Sequence, residues 1–297
     1  MSETDDIKQE SRKAEQKKRL VCLFLDGLGV AADSEVNAVR MAKMPNLAKY
    51  VKNYPVSLLS SITKDERRRY WALGSGMSAD NDLFPQAKTA LSSILSDNGY
   101  RQLKICASEQ SLLLNLFFNN YKEIPYLNED RICLNTPGID ESLVDFTKNL
   151  IKLVKKQYKN NSYDTIFASL PSIHEAATRG GFTETVKNLE LMDKLLPKII
   201  DLVLVNDDLL VLCSPYGNAE RTKDLAADWE DKTATNNPVP LVIIGNAYEG
   251  KTIGLADPLE GDLSVLAPSG ILADFAPTIL SLLNLDQSTE MEGESLI

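Results

Sequence analysis

The side chains in this 297-residue chain that could do chemistry are few and widely spaced. Asp26 closes the apolar run RLVCLFLDG. A carboxylate at such a strand-to-helix turn can hold one cation, cap a helix or accept from loop amides. His174 is the one histidine, and imidazole is the commonest metal ligand and a frequent general base. One imidazole and one distant carboxylate fall short of the three or four protein ligands that fix a transition metal, so a surface or core-edge histidine is the alternative reading. Arg67, Arg68 and Arg69 stand just before ALGSG, where they could form an anion pocket with the Gly74 and Gly76 amides. Three consecutive arginines cannot all face one point, however, and Asp65 and Glu66 partly neutralise them. Thr178, Arg179, Gly180 and Gly181 make a second phosphate-binding candidate at a helix start, without P-loop spacing. Cys22, Cys106, Cys133 and Cys213 each lie in an apolar run with no CxxC pair. They are expected as buried small hydrophobes, neither a disulfide frame nor a zinc knuckle.

These groups depend on the elements that carry them. Strand-like pieces are RLVCLFLDG, PVSLLSSI, YWALGSG, LKICAS, LLLNLFFN, RICLNTPG, YDTIFASL, DLLVLCSPYG and PVPLVIIGN. Between them run helical periodicities: NAVRMAKMPNLAKYVKNY with a proline interruption, QAKTALSSILSDN closed by Gly99, ESLVDFTKNLIKLVKKQYKN, FTETVKNLELMDKLLPKIIDLVL, and a terminal helix beginning near Asp274. The alternation predicts an α/β fold, a doubly wound and mostly parallel sheet with helices on both faces. Ligands in such folds sit past the carboxyl ends of strands, here Asp26, the segment after Leu170 and the segment after Cys213. No internal repeat or Pro/Gly/Ser linker divides the chain, which reads as a charged flexible tail over 1–19 and one domain over 20–297. Asp+Glu outnumber Lys+Arg by 42 to 32, a net charge of −10, the wrong footprint for a general nucleic-acid binder. No apolar run is long enough to span a membrane. The start has neither signal-peptide nor transit-peptide character, which points to the cytoplasm.

From Leu20 onward the sequence resembles the catalytic domain of cofactor-independent phosphoglycerate mutases, in the alkaline phosphatase superfamily. LFLDGLG and NAVRMAKMPNLAKYVKNYPVSLL carry the likeness at the front; YGNAE, NPVPL and ADFAPTILSLLNLDQSTEMEGESLI carry it at the back. The resemblance implies an alkaline-phosphatase-like core, two divalent metals such as manganese, and a serine nucleophile. Residue by residue, most of that machinery is replaced. Asp26 is the one retained ligand position. The residue nearest the family's serine is Glu66, and the lysine expected near the next strand is Gln110. The family's NPDxxGH motif aligns with His174 on its aspartate and Thr178 on its histidine. Pro215 and Tyr216 replace an Asp-His pair, in the run CSPYGNAE that also holds Asn218, and the remaining imidazole positions carry Leu113 and Ala234. The inserted substrate domain has no counterpart, only Met77 to Gln86.

The resemblance therefore implies a vestigial pocket of Asp26, Glu66, Gln110, His174, Thr178, Tyr216 and Asn218, with Tyr216 filling volume the metals vacated. The reading favoured is a catalytically degenerate relative without metal cofactors, acting by binding a protein partner or a small phosphorylated ligand. The alternative is an active mutase or phosphohydrolase with a site rebuilt around Asp26, Glu66 and His174.

Overall fold

The computed structural model describes residues 17–138, 140–224, 229–230, 232–253 and 261–297; the tail expected over 1–19 lies outside these up to residue 16. Strand β1 (Leu20–Phe24) shows how the sheet is made. Successive side chains of a strand point to opposite faces, so Leu20, Cys22 and Phe24 enter one apolar core while Val21 and Leu23 enter another. Every residue of β1 is buried. A strand apolar on both faces is stable only in the middle of a sheet covered on both sides.

The other strands of the main sheet are β2 (Val56–Ser60), β3 (Gln102–Ala107), β4 (Glu129–Leu134), β5 (Thr165–Ser169), β6 (Leu209–Cys213), β9 (Val239–Ile244) and β10 (Gly270–Ile271). Between β6 and β9, β7 (Lys223–Asp224) and β8 (Trp229–Glu230) form a separate short pair. The order across the main sheet is β10-β2-β9-β6-β1-β5-β3-β4. All pairings are parallel except those of β9, which runs antiparallel to β2 and β6. Helices Glu66–Ser75, Leu91–Asp97 and Phe275–Leu282 contribute to the core on the Phe24 face. Helices Pro45–Asn53, Leu143–Lys159, Gly181–Leu195 and Pro197–Val205 contribute to the core on the other. The predicted doubly wound, mostly parallel α/β architecture is the one observed. No helix among the described residues is long and apolar enough to cross a membrane.

Three local readings are corrected. YWALGSG is the body of helix Glu66–Ser75, not a strand. Asp65 starts the helix by accepting from the Arg67 N–H at 3.0 Å, and Gly76 stops it at φ 69°, a left-handed conformation suited to glycine. LLLNLFFN is likewise helical, with a π-helical turn at Leu113–Phe117. The long helix expected to run through LLPKII is two, because Pro197 lacks the N–H needed to continue and begins the second. The fourth correction concerns a side chain: Cys133 is exposed, while the other three cysteines are buried.

Candidate functional site

The carboxyl ends of the three central strands, β1, β5 and β6, deliver Asp26, Ser169 and the segment Ser214–Tyr216 to one place. The connections are tight. The Gly27 N–H donates to the Tyr216 carbonyl at 3.0 Å, the Asn218 N–H to the Gly27 carbonyl at 3.1 Å, and the His174 N–H to the Asp26 carbonyl at 3.0 Å. Gly27 has φ +96°, and a methyl there would stand 2.6 Å from Asn218 Oδ1 and 2.8 Å from the His174 nitrogen. Only glycine lets the three chain segments close this far.

Asp26 is fully buried. Its Oδ1 accepts from the Tyr70 hydroxyl at 2.8 Å and its Oδ2 from the Ser169 hydroxyl at 2.7 Å. Burial raises the carboxyl to about 7; the Ser169 and Tyr70 hydrogen bonds oppose that, and the charges of Glu66 and Glu175 add to it. Tyr70 was not singled out by sequence, though it lies one helical turn after Glu66 and so on the same helix face. Ser169 was signalled only by its place as the last residue of a buried strand.

Tyr216 is also fully buried, and its hydroxyl has no hydrogen-bond partner among the described residues. Its ring meets the His174 ring edge-on at a centroid distance of 5.3 Å. Burial pushes the phenol well above its ordinary value, with Asp26 adding to the effect. His174 is partly covered, and the Asn218 side-chain amide lies 3.0 Å from its Nδ1. With Asn218 oriented to donate, Nδ1 accepts and the ring proton sits on Nε2. Burial, followed by the Arg179 charge, lowers the imidazole to about 4. Thr178, one turn along, donates its hydroxyl back to the His174 and Glu175 carbonyls at 3.0 and 3.2 Å. Gln110 is buried against Glu175, which is ion-paired with Arg179 at 2.6 Å. Glu66, on the first turn of its helix, is raised by burial and opposed by Arg69.

The fold thus gathers Asp26, Glu66, His174, Tyr216 and Asn218, and sets Gln110 and Thr178 beside Glu175. It scatters the three arginines. Arg67 is exposed and paired with Asp65 at 2.7 Å. Arg68 donates to the Ala79 and Asn81 carbonyls and stacks on Phe84. Arg69 is fully buried, its Nε donating to Thr63 at 2.6 Å and its Nη2 to the Thr235 carbonyl at 2.5 Å. Gly74 and Gly76 lie toward the far end of the helix, where a methyl on Gly74 would come 1.9 Å from the Phe118 carbonyl oxygen. No single anion pocket collects these five residues.

Glu220 is a further buried carboxylate that sequence reasoning missed. The Thr235 hydroxyl and the Asn237 side-chain amide both donate to its Oε1, and burial raises it. Gly29 and Gly217 make room for it: a methyl on either would come within 2.6 Å of its carboxylate oxygens. Among the described residues no three His, Cys, Asp or Glu side chains converge as a metal-ligating group.

A doubly wound sheet with its polar cluster at the ends of β1, β5 and β6 places the molecule in the alkaline-phosphatase-like class. Alkaline phosphatase from the Antarctic bacterium TAB5 shares the fold at TM-score 0.60 and 11% identity, over 92% of this chain and 100% of that one. Leishmania mexicana phosphoglycerate mutase shares it at TM-score 0.75 and 10% identity, over 96% of this chain and 98% of that one. The chain belongs to the metalloenzyme superfamily, whose family model matches residues 18–287. The 2,3-bisphosphoglycerate-independent phosphoglycerate mutase of Acetivibrio thermocellus is 30% identical over 210 residues, 68% of this chain and 37% of that protein. Its counterpart in Ehrlichia ruminantium (strain Gardel) is 29% identical over 259 residues, 82% of this chain and 48% of that protein. The chain spans less than half the length of these curated relatives.

Proposed function

We propose that this phosphoglycerate-mutase-like protein is catalytically degenerate and acts by binding, either to a protein partner or to a small phosphorylated ligand. The observation that carries the reading is Asp26. At the one retained ligand position, both carboxyl oxygens accept hydrogen bonds from buried hydroxyls, and burial raises the carboxyl well above the ordinary carboxylate range. A divalent cation there would have to displace both hydroxyls and enter a solvent-excluded space beside the Tyr216 ring. The other positions that would complete two metal sites carry His174, Leu113, Thr178, Pro215, Tyr216 and Ala234. They offer one imidazole engaged at Nδ1 by Asn218, one hydroxyl turned to its own helix, one buried phenol kept neutral and three hydrocarbon side chains. These residues do not fit a pair of divalent metals or the phosphoryl transfer such a pair would support. In this reading residues 20–297 work as one domain in the cytoplasm, without nucleic acid, membrane or metal cofactor. The alternative, an enzyme rebuilt around Asp26, Glu66 and His174, would start from an Asp26 carboxylate closed off by the Tyr70 and Ser169 hydroxyls.

The test is turnover. Purified protein supplied with manganese, zinc or magnesium is assayed on 3-phosphoglycerate and on a generic phosphomonoester, beside Asp26→Ala. The expected outcome is no activity above the variant. Turnover that disappears in Asp26→Ala would overturn the reading.

A further inference from the structure

Away from that site, β3 and its edge neighbour β4 set Cys106 and Cys133 directly opposite one another in register. Facing residues on adjacent strands lie about 4.8 Å apart, inside the Cα separation of about 4.4–6.8 Å that a disulfide spans. The two sulfurs are already 3.1 Å apart. They differ in access: Cys106 is fully buried, whereas Cys133 is exposed on the edge strand. The side-chain amide of Asn115, on the π-helical turn, donates to both, at 3.7 Å to Cys106 Sγ and 3.5 Å to Cys133 Sγ. Ser111 Oγ accepts from Cys133 at 3.6 Å.

We propose that Cys106 and Cys133 are a redox-active dithiol that takes a two-electron oxidant of the hydroperoxide class at Cys133 and closes to a disulfide. The Cys133 thiolate attacks the terminal peroxide oxygen; an S–O bond forms, the O–O bond breaks, and the departing oxygen leaves as water or alcohol after taking a proton. Cys106 then attacks the Cys133 sulfur; the S–S bond forms, the S–O bond breaks, and the hydroxyl leaves as water with the Cys106 proton. Two thiols are oxidised by two electrons and one peroxide is reduced. Burial holds the Cys106 thiol high, and so do the hydrogen bond and charge of Cys133. The Asn115 amide, which reaches both sulfurs, stays to stabilise a Cys106 thiolate as the S–S bond forms. From 3.1 Å the sulfurs need to close by about 1 Å to reach bonding distance. Cys22 and Cys213, both buried, are internal controls for unfolding.

The experiment treats reduced, folded, full-length protein with equimolar hydrogen peroxide, alkylates it under denaturing conditions and measures intact and peptide masses. The expected result is loss of two hydrogen masses and of two of the four alkylatable cysteines, with the peptides carrying Cys106 and Cys133 joined. Cys133→Ser should keep all its remaining thiols, and Cys106→Ala should accumulate a dimedone-trappable sulfenic acid at Cys133. The proposal is overturned if Cys133 passes to the sulfinic acid while Cys106 stays free, if Cys133 links two chains, or if neither sulfur reacts. It stands independently of whether the Asp26 site is active.

Discussion

Replacing Asp26 by asparagine isolates the electrostatic claim on which the degenerate reading rests. In the unfolded chain the carboxyl ionises near its ordinary 3.8, and in the folded protein at about 7. Below 3.8 both states are protonated. Between the two values only the native state keeps the proton, so stability falls as pH rises; above 7 both states are ionised and the loss is complete. About three pH units at about 1.36 kcal/mol each amount to about 4 kcal/mol. Asp26→Asn cannot titrate, and its amide can still pair with the Tyr70 and Ser169 hydroxyls. Urea unfolding of both proteins at half-unit steps from pH 4.5 to 8 yields a difference in which the other titrating groups largely cancel. The variant should gain on the wild type as pH rises, by an amount approaching that figure, and level off above pH 7. A flat or falling difference would mean that Asp26 is already an anion in the folded protein, and the reasoning would fail.

The single imidazole makes a second check clean. Burial lowers His174 to about 4, so its stabilising contribution is present above pH 6.5 and lost as pH falls toward 4; its proton resonance should hold still from pH 8 to 5.5, and a midpoint near 6.5 would contradict the burial argument. Tyr216→Phe removes a buried hydroxyl with no partner among the described residues and should leave the unfolding midpoint unchanged or raised, since an unsatisfied buried group costs about 1–3 kcal/mol. Tyr216→Ala should lower stability by about 3–5 kcal/mol, as other emptied aromatic sites do; thermal or urea unfolding reads both, and a Phe variant as unstable as Ala would show that the hydroxyl is engaged. Gly74→Ala drives a methyl into the Phe118 carbonyl and should cost about 3 kcal/mol or more, the upper range of overpacking, with insoluble expression or a lowered melting temperature as the readout.

What sequence could show depended on whether a signal was local. The β1 run ending at Asp26, and the positions after Leu170 and Cys213, were legible because a strand apolar on both faces must be central, and central strands place their ends together. YWALGSG misled because an apolar stretch of that length shows no clear period; the evidence for a helix lay outside it, in the capping Asp65 and the left-handed Gly76. The hydrogen bonds closing over Asp26 come from Tyr70 and Ser169, 44 and 143 residues away, so they follow from topology rather than from spacing. Glu220 was hidden in the same way, since the glycines that admit it, Gly29 and Gly217, belong to two different strand ends. The arginine triplet shows the converse. Adjacent in sequence, its members point to Asp65, to the Ala79–Phe84 loop and to Thr63 with Thr235 because successive helical positions diverge by about 100°. The apolar run around Cys133 predicts burial; edge position in the sheet, which sequence does not reveal, exposes it.

The central claim is that the retained aspartate no longer serves a metal. Its most direct test is elemental analysis of protein purified without chelator, combined with calorimetric titration of manganese into metal-free protein at pH 7.5. Degeneracy predicts substoichiometric metal and no saturable heat, with Asp26→Asn indistinguishable from the wild type. Stoichiometric metal, or binding that saturates at micromolar manganese and is lost in Asp26→Asn, would contradict it.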